Sequence, residues 1–155
     1  MQLIQSPTPE YRAAMVEFLA SRPADFFCTA NPNKANLDLD SASRTLRHFH
    51  AMIDRKLWGR NWATRRERTS FLAIPEKGPR QGILHFHLMM YVPDSSKMDL
   101  FANVAPALFR RASPGGSFKV DSVPSPAHQR VIARYMAKDA LIGDLVISDG
   151  ARLLQ

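Results

Sequence analysis

Ile83-Leu84-His85-Phe86-His87-Leu88-Met89-Met90-Tyr91 is the stretch on which the fold turns. It follows a segment, Pro75 to Gly82, crowded with Pro, Gly and charge. In a strand, successive side chains point to opposite faces. Leu84, Phe86, Leu88 and Met90 then form a core face, while His85, His87, Met89 and Tyr91 share the other. Upstream, Arg68 to Ile74 also reads as a strand, so residues 75–82 close a hairpin.

Working outward, the periodicity predicts a helix over 8–21, capped by Thr8 with Pro9 in its first turn. A short apolar strand follows over 24–30. A second helix spans 41–58, with Ser41 or Ser43 as cap, Leu46, Phe49, Ile53 and Leu57 on one face, and Gly59 as terminator. Beyond the hairpin come a helix over 97–111, the break Ser113-Pro114-Gly115-Gly116, a strand over 117–123 and a helix over 126–141. Leu145-Val146-Ile147 allows a short last strand. After the first helix the order is β-α-β-β-α-β, then α. That is an α+β chain of the ferredoxin-like, split βαβ arrangement: an antiparallel sheet with helices on one face, leaving the other free to carry a site.

Length and composition fit this picture. The 155 residues suit one domain, and 45% apolar with 23% charged residues is ordinary for a globular chain. Disordered, collagen-like and disulfide-stapled classes are excluded. The lone Cys28 sits in the apolar run Phe26-Phe27-Cys28-Thr29 and reads as a small buried residue. No apolar run reaches 18 residues, and the first residues lack the pattern of a secretory signal, so the expected compartment is the cytoplasm and no membrane is involved.

The net charge of +7 is concentrated. Residues 44–80 hold ten Lys and Arg against three acids, and the rest of the chain balances. Trp58, Trp62 and Phe71 interleave with these cations. Stacking faces among cations suit single-stranded nucleic acid, whose bases stack while its phosphates pair.

His85 and His87 place two imidazoles on one strand face, their Cα atoms about 6.5–7 Å apart. Both can reach one divalent ion, and neutral imidazole is the commonest protein metal ligand. Glu76, near the start of the turn before this strand, is brought toward them if the hairpin folds back. Two His and one carboxylate with open positions suit Mg²⁺ or Mn²⁺ when a phosphate supplies further oxygens. Glu67 is the other carboxylate at hand, more naturally a partner of Arg65 or Arg68. In the last helix Ile132, Met136 and Ala140 form an apolar stripe, while Tyr135 and Lys138, at i and i+3, share a neighbouring face.

Three motifs in this order resemble the HUH endonucleases, and among them the single-tyrosine rolling-circle replication initiators: Phe26-Phe27-Cys28-Thr29-Ala30-Asn31, His85-Phe86-His87 and Tyr135-Met136-Ala137-Lys138. The resemblance spans residues 24–141. It implies a single HUH endonuclease-like domain in which His85, His87 and Glu76 hold a divalent metal. Tyr135 would attack the scissile phosphate of single-stranded DNA at a replication origin, leaving a 5′-phosphotyrosine and a 3′-OH. Lys138 would offset developing charge. Arg60, Trp62, Arg65, Arg66, Arg68 and Arg80, with Arg134 on the last helix, are the DNA contacts it implies. No GxxxxGK[ST] stretch occurs, so no helicase domain is present in this sequence and strand opening falls to a host helicase, ahead of a host polymerase. A transposase or relaxase would use the same chemistry, although Tyr11 lacks the context of a relaxase nucleophile. A non-catalytic nucleic-acid-binding domain of ferredoxin-like fold is the alternative from another class.

Overall fold

The structure is a computed structural model that describes residues 7–77, 83–138 and 145–148. Four helices, α1 (Pro9–Ala20), α2 (Leu39–Trp58), α3 (Met98–Ala112) and α4 (Pro126–Ala137), pack on five strands, β1 (Phe26–Asn31), β2 (Ser70–Lys77), β3 (Leu84–Tyr91), β4 (Ser117–Ser122) and β5 (Val146–Ile147). The chain is α+β, and its one sheet is antiparallel throughout, in the order β4-β1-β3-β2-β5.

Local chemistry accounts for the helix ends. Thr8 accepts a hydrogen bond from the Tyr11 amide at 3.2 Å, and Pro9 needs no partner at the first helical position. Ser125 and Pro126 repeat this at α4, where the His128 amide donates to Ser125 Oγ at 3.1 Å. For α2 the cap is Asp38, not Ser41 or Ser43. Its carboxylate accepts from the Ser41 amide at 2.7 Å, which starts the helix two residues early. Gly59 ends α2 with φ 74°, a conformation that favours glycine. A 3₁₀ turn over Gly59–Thr64 then leads toward β2.

Phe86 and Leu88 are fully buried, and with Leu84 and Met90 they pack beneath α2 and α3, as the alternation in β3 predicts. Phe49, Phe109 and Phe118 interlock in this core. The expectation of a free opposite face is overturned. Met15 and Leu19 of α1, with Ile132 and Met136 of α4, cover Leu72, Ile74 and Met89 on that side. The sheet therefore lies between two helical layers. The physical reason is the unbroken apolar runs Phe71-Leu72-Ala73-Ile74 and Leu88-Met89-Met90, which leave both faces of β2 and β3 needing cover. The predicted last helix is described as far as Ala137, and its expected stripe residue Ala140 lies outside the described residues.

α4 is docked by polar contacts as well. The Gln129 side-chain amide donates to the carbonyls of Leu19 and Arg22 at 3.0 and 2.6 Å, closing the C-terminal end of α1. Arg130 meets Glu17 with both terminal nitrogens.

Candidate metal and tyrosine site

β2 continues through Pro75 and Glu76 to Lys77, so Glu76 is a strand residue rather than part of a turn. Antiparallel pairing sets Glu76 opposite His85 and Ile74 opposite His87. The parity that puts Leu84 and Phe86 in the core sends both imidazoles to the other face, where Glu76 also projects. Glu76 Oε2 lies 2.9 Å from His87 Nε2 and 3.6 Å from His85 Nε2. One ligand atom from each of the three residues falls within 4.8 Å of the others. Octahedral ligands about 2.1 Å from an ion stand about 3 Å apart. The donor set is thus close enough to hold one metal ion.

The two histidines differ in setting. His87 is buried and His85 partly exposed. Burial pushes the His87 pKa below the usual imidazole value. Glu76 opposes that shift, while His85 and Lys138 add to it. A neutral ring, the form that ligates, is therefore present at pH 7. Thr29 lies opposite His87 on β1, its hydroxyl 3.5 Å from His87 Nδ1. A hydroxyl can donate to or accept from that nitrogen, so it serves either tautomer of the ring. Phe27 stacks on the same imidazole, centroids 5.6 Å apart and planes 19° from parallel.

Tyr135 comes from the helical layer. Its ring lies 5.1 Å from the His87 ring and 6.3 Å from that of Phe27, edge-on to both. Half of its surface remains exposed. Lys138, one turn on, holds its ammonium 5.8 Å from the centre of the Tyr135 ring. The three chemistry-bearing segments singled out in the sequence, far apart along the chain, therefore meet at one place.

The basic residues do not gather there. Arg60 and Trp62 lie in the 3₁₀ turn after α2, and Arg65, Arg66 and Arg68 lead into the first residues of β2. Glu76 is six residues further along that strand, about 20 Å away. Arg65 sits over the Trp58 ring at 5.1 Å and Arg68 over the Trp62 ring at 5.6 Å, so each indole already carries a guanidinium. Arg68 also approaches Asp54 at 4.0 Å. Glu67 belongs to this distant end and is no part of the metal cluster. Arg134 is exposed on α4 beside Tyr135. Arg80 lies outside the described residues.

Sequence reasoning assigned no role to Phe27 or Thr29. The available signal was their shared parity on β1, which places both on the histidine face once β1 pairs with β3. Glu76→Gln keeps the shape of the side chain and removes its charge. It is expected to weaken Mn²⁺ binding at least about tenfold in calorimetric titration, given what lost ligand and outer-shell partners usually cost. Unchanged affinity would place the ion elsewhere.

Comparison of the chain with protein-family models, with curated proteins and with solved structures finds no match.

Proposed function

We propose that this chain nicks and rejoins single-stranded DNA through a tyrosine–phosphate linkage, as a single-tyrosine HUH-type initiator of rolling-circle replication in a plasmid or phage. One observation carries the reading: a half-exposed tyrosine packs against a histidine of a His-His-Glu cluster. Neither element would mean much alone. A phenol is a weak nucleophile near neutral pH, and such clusters serve many reactions. Side by side they supply a nucleophile and an electrophilic clamp for one phosphate.

Support also comes from topology. The strand order β4-β1-β3-β2, with α2 and α3 as crossovers, is that of the ferredoxin-like split βαβ arrangement. The strand β5 and the layer formed by α1 and α4 are additions to it.

Tyr135 Oη attacks the phosphorus, and the bond from phosphorus to the 3′-oxygen breaks. The phenol proton passes to solvent, which reaches the half-exposed ring. The departing oxygen takes a proton and becomes a 3′-OH able to prime synthesis. Reversal by a 3′-OH rejoins the strand. Glu76, His85 and His87 would hold a divalent ion, Mg²⁺ or Mn²⁺ in this reading, which would supply Lewis-acid polarisation of the scissile phosphate. Lys138 offers a positive charge one helical turn from the nucleophile and stabilises the charge that builds up on the phosphate. Arg134, exposed on α4 next to Tyr135, is the arginine this reading assigns to a passing strand.

The test uses the whole chain, Mn²⁺ and a degenerate pool of single-stranded oligonucleotides. A denaturation-resistant protein–DNA adduct is expected, absent with EDTA. Metal-independent binding with no adduct would overturn the reading in favour of a non-catalytic nucleic-acid-binding domain.

A further inference from the structure

The layer on the back of the sheet carries a feature that the metal and tyrosine site does not use. α2 is 20 residues long, about 30 Å. Its exposed surface, continued into the following turn, presents Arg44, Arg47, His48, Arg55, Lys56 and Arg60. Beyond Asp40 in its first turn, the only acid of α2 is Asp54, which is fully buried. None of the five Arg and Lys residues has an ion-pair partner within 4 Å among the described residues. The one hydrogen bond among them is from Arg44 to Ser41 Oγ. Surface helices ordinarily alternate charge, because like charges one turn apart repel. Here Arg44 and Arg47 share one turn, with Asp38 and Asp40 near them only at the start of the helix. At the same end α3 adds exposed Arg110 and Arg111, brought near by the packing of Phe109 on Phe49. A hollow of about 340 Å³ lies at the start of α2, lined by Ser43, Arg44 and Arg47 together with Asp40 and the apolar Leu39, Leu145 and Val146.

The side chains between these cations decide the partner. From Arg44 to Lys56 they are Thr45, Ala51 and Met52, with no indole or phenyl ring among them, and the half-buried Trp58 at the end of α2 already carries Arg65 over its ring at 5.1 Å. Single strands are held by stacking as well as charge. A row of guanidinium groups without a stacking face recognises phosphates whose bases are turned away, as in a duplex.

We infer that the outer face of α2 binds the sugar–phosphate backbone of duplex nucleic acid, on the side of the sheet opposite the Glu76–His85–His87–Tyr135 cluster. The inference does not depend on the nicking reading. If both hold, the protein grips paired DNA on its back while a single strand crosses its front.

The test measures binding of a duplex of about 20 base pairs by fluorescence anisotropy across a NaCl series, because each phosphate contact contributes about 0.9 to the salt slope. Arg44→Gln, Arg47→Gln and Arg55→Gln combined are expected to lower that slope by about 2–3 and weaken binding at least about tenfold near 0.1 M salt. All three positions are exposed, so circular dichroism should show the fold retained. Lys56→Gln with Arg55→Gln is a milder pair that should lower the slope by about 1–2. His85→Ala with His87→Ala should leave duplex binding unchanged. An unaltered slope in the triple variant overturns the inference. So does an equal loss of affinity for a single strand of the same length, or tighter binding of phosphatidylserine vesicles that depends on the same arginines. A wild type that forms no DNA adduct would refute the nicking reading and leave this measurement intact.

Discussion

Tyr135→Phe is expected to abolish the covalent DNA adduct while leaving the rest of the site in place. The substitution removes one oxygen. The ring remains to pack edge-on against His87 and Phe27, 5.1 and 6.3 Å away, and the half-exposed residue belongs to neither buried core cluster. Mn²⁺ affinity and oligonucleotide binding should therefore stay within about twofold. The rate of strand cleavage at saturating metal and DNA should fall at least about 10³-fold, the scale on which losing a nucleophile is felt. Single-turnover kinetics read on denaturing gels give both quantities. Cleavage persisting at more than a few per cent of the wild-type rate, with no adduct, would mean that water attacks instead. The site would then be a metal-dependent hydrolase with a bystander tyrosine.

Asp54→Ala should have the largest effect on stability. Asp54 is fully buried in α2. One of its oxygens accepts from the Thr69 amide at 3.2 Å and from the Thr69 hydroxyl at 2.5 Å, just ahead of β2. The other faces His50 Nε2 at 3.5 Å and Arg68 Nε at 4.0 Å. Burial raises the carboxyl pKa, while His50, Thr69 and Arg68 pull it back. Removing this hub leaves the Thr69 amide without its acceptor and takes a buried negative charge from beside His50 and Arg68. Breaking a buried pair in this way costs about 3–5 kcal/mol. Chemical denaturation followed by circular dichroism would register it as a large fall in midpoint with little change in slope. A loss under about 1 kcal/mol would mean that solvent reaches the network and replaces the lost acceptor. Asp54→Asn, which keeps an acceptor for Thr69, should cost less than the alanine variant.

Much of this molecule was legible beforehand because strand parity is a hard constraint. Once residues 83–91 are read as a strand, His85 and His87 must share a face and Phe86 must be core. The order of elements follows from turn residues and periodicity. Glu76 was found for a reason close to the right one: hairpin closure brings it to the histidines, although it does so as a strand residue paired with His85. What escaped was long-range. The covering of the second face was written in Leu72, Ile74 and Met89, but a short apolar run does not say whether a helix or solvent lies over it. The Asp38 cap lost to two nearby serines because capping preference alone does not rank neighbours two or three residues apart. The separation of the basic turn from the metal cluster could not be read, since residues 44–80 are close along the chain yet reach both ends of β2. Asp54 does lie within the arc of α2 that holds His50 and Leu57, but helical position does not reveal which polar group will find partners.

The docking of α4 has a consequence for how the molecule fails. The metal ligands belong to the sheet, and the tyrosine belongs to a layer held on by few large side chains. Among the described residues, nine apolar residues are buried on that side against twenty on the other. The site is therefore divided by a seam, and Gln129, with the Glu17–Arg130 pair, is its stitching. Partial opening along such a seam needs less free energy than global unfolding. Warming or mild denaturant is expected to part Tyr135 from His87 while the strands stay paired. Under the nicking function proposed above, a chain opened in this way would keep Glu76, His85 and His87 together on paired strands and yet lose cleavage.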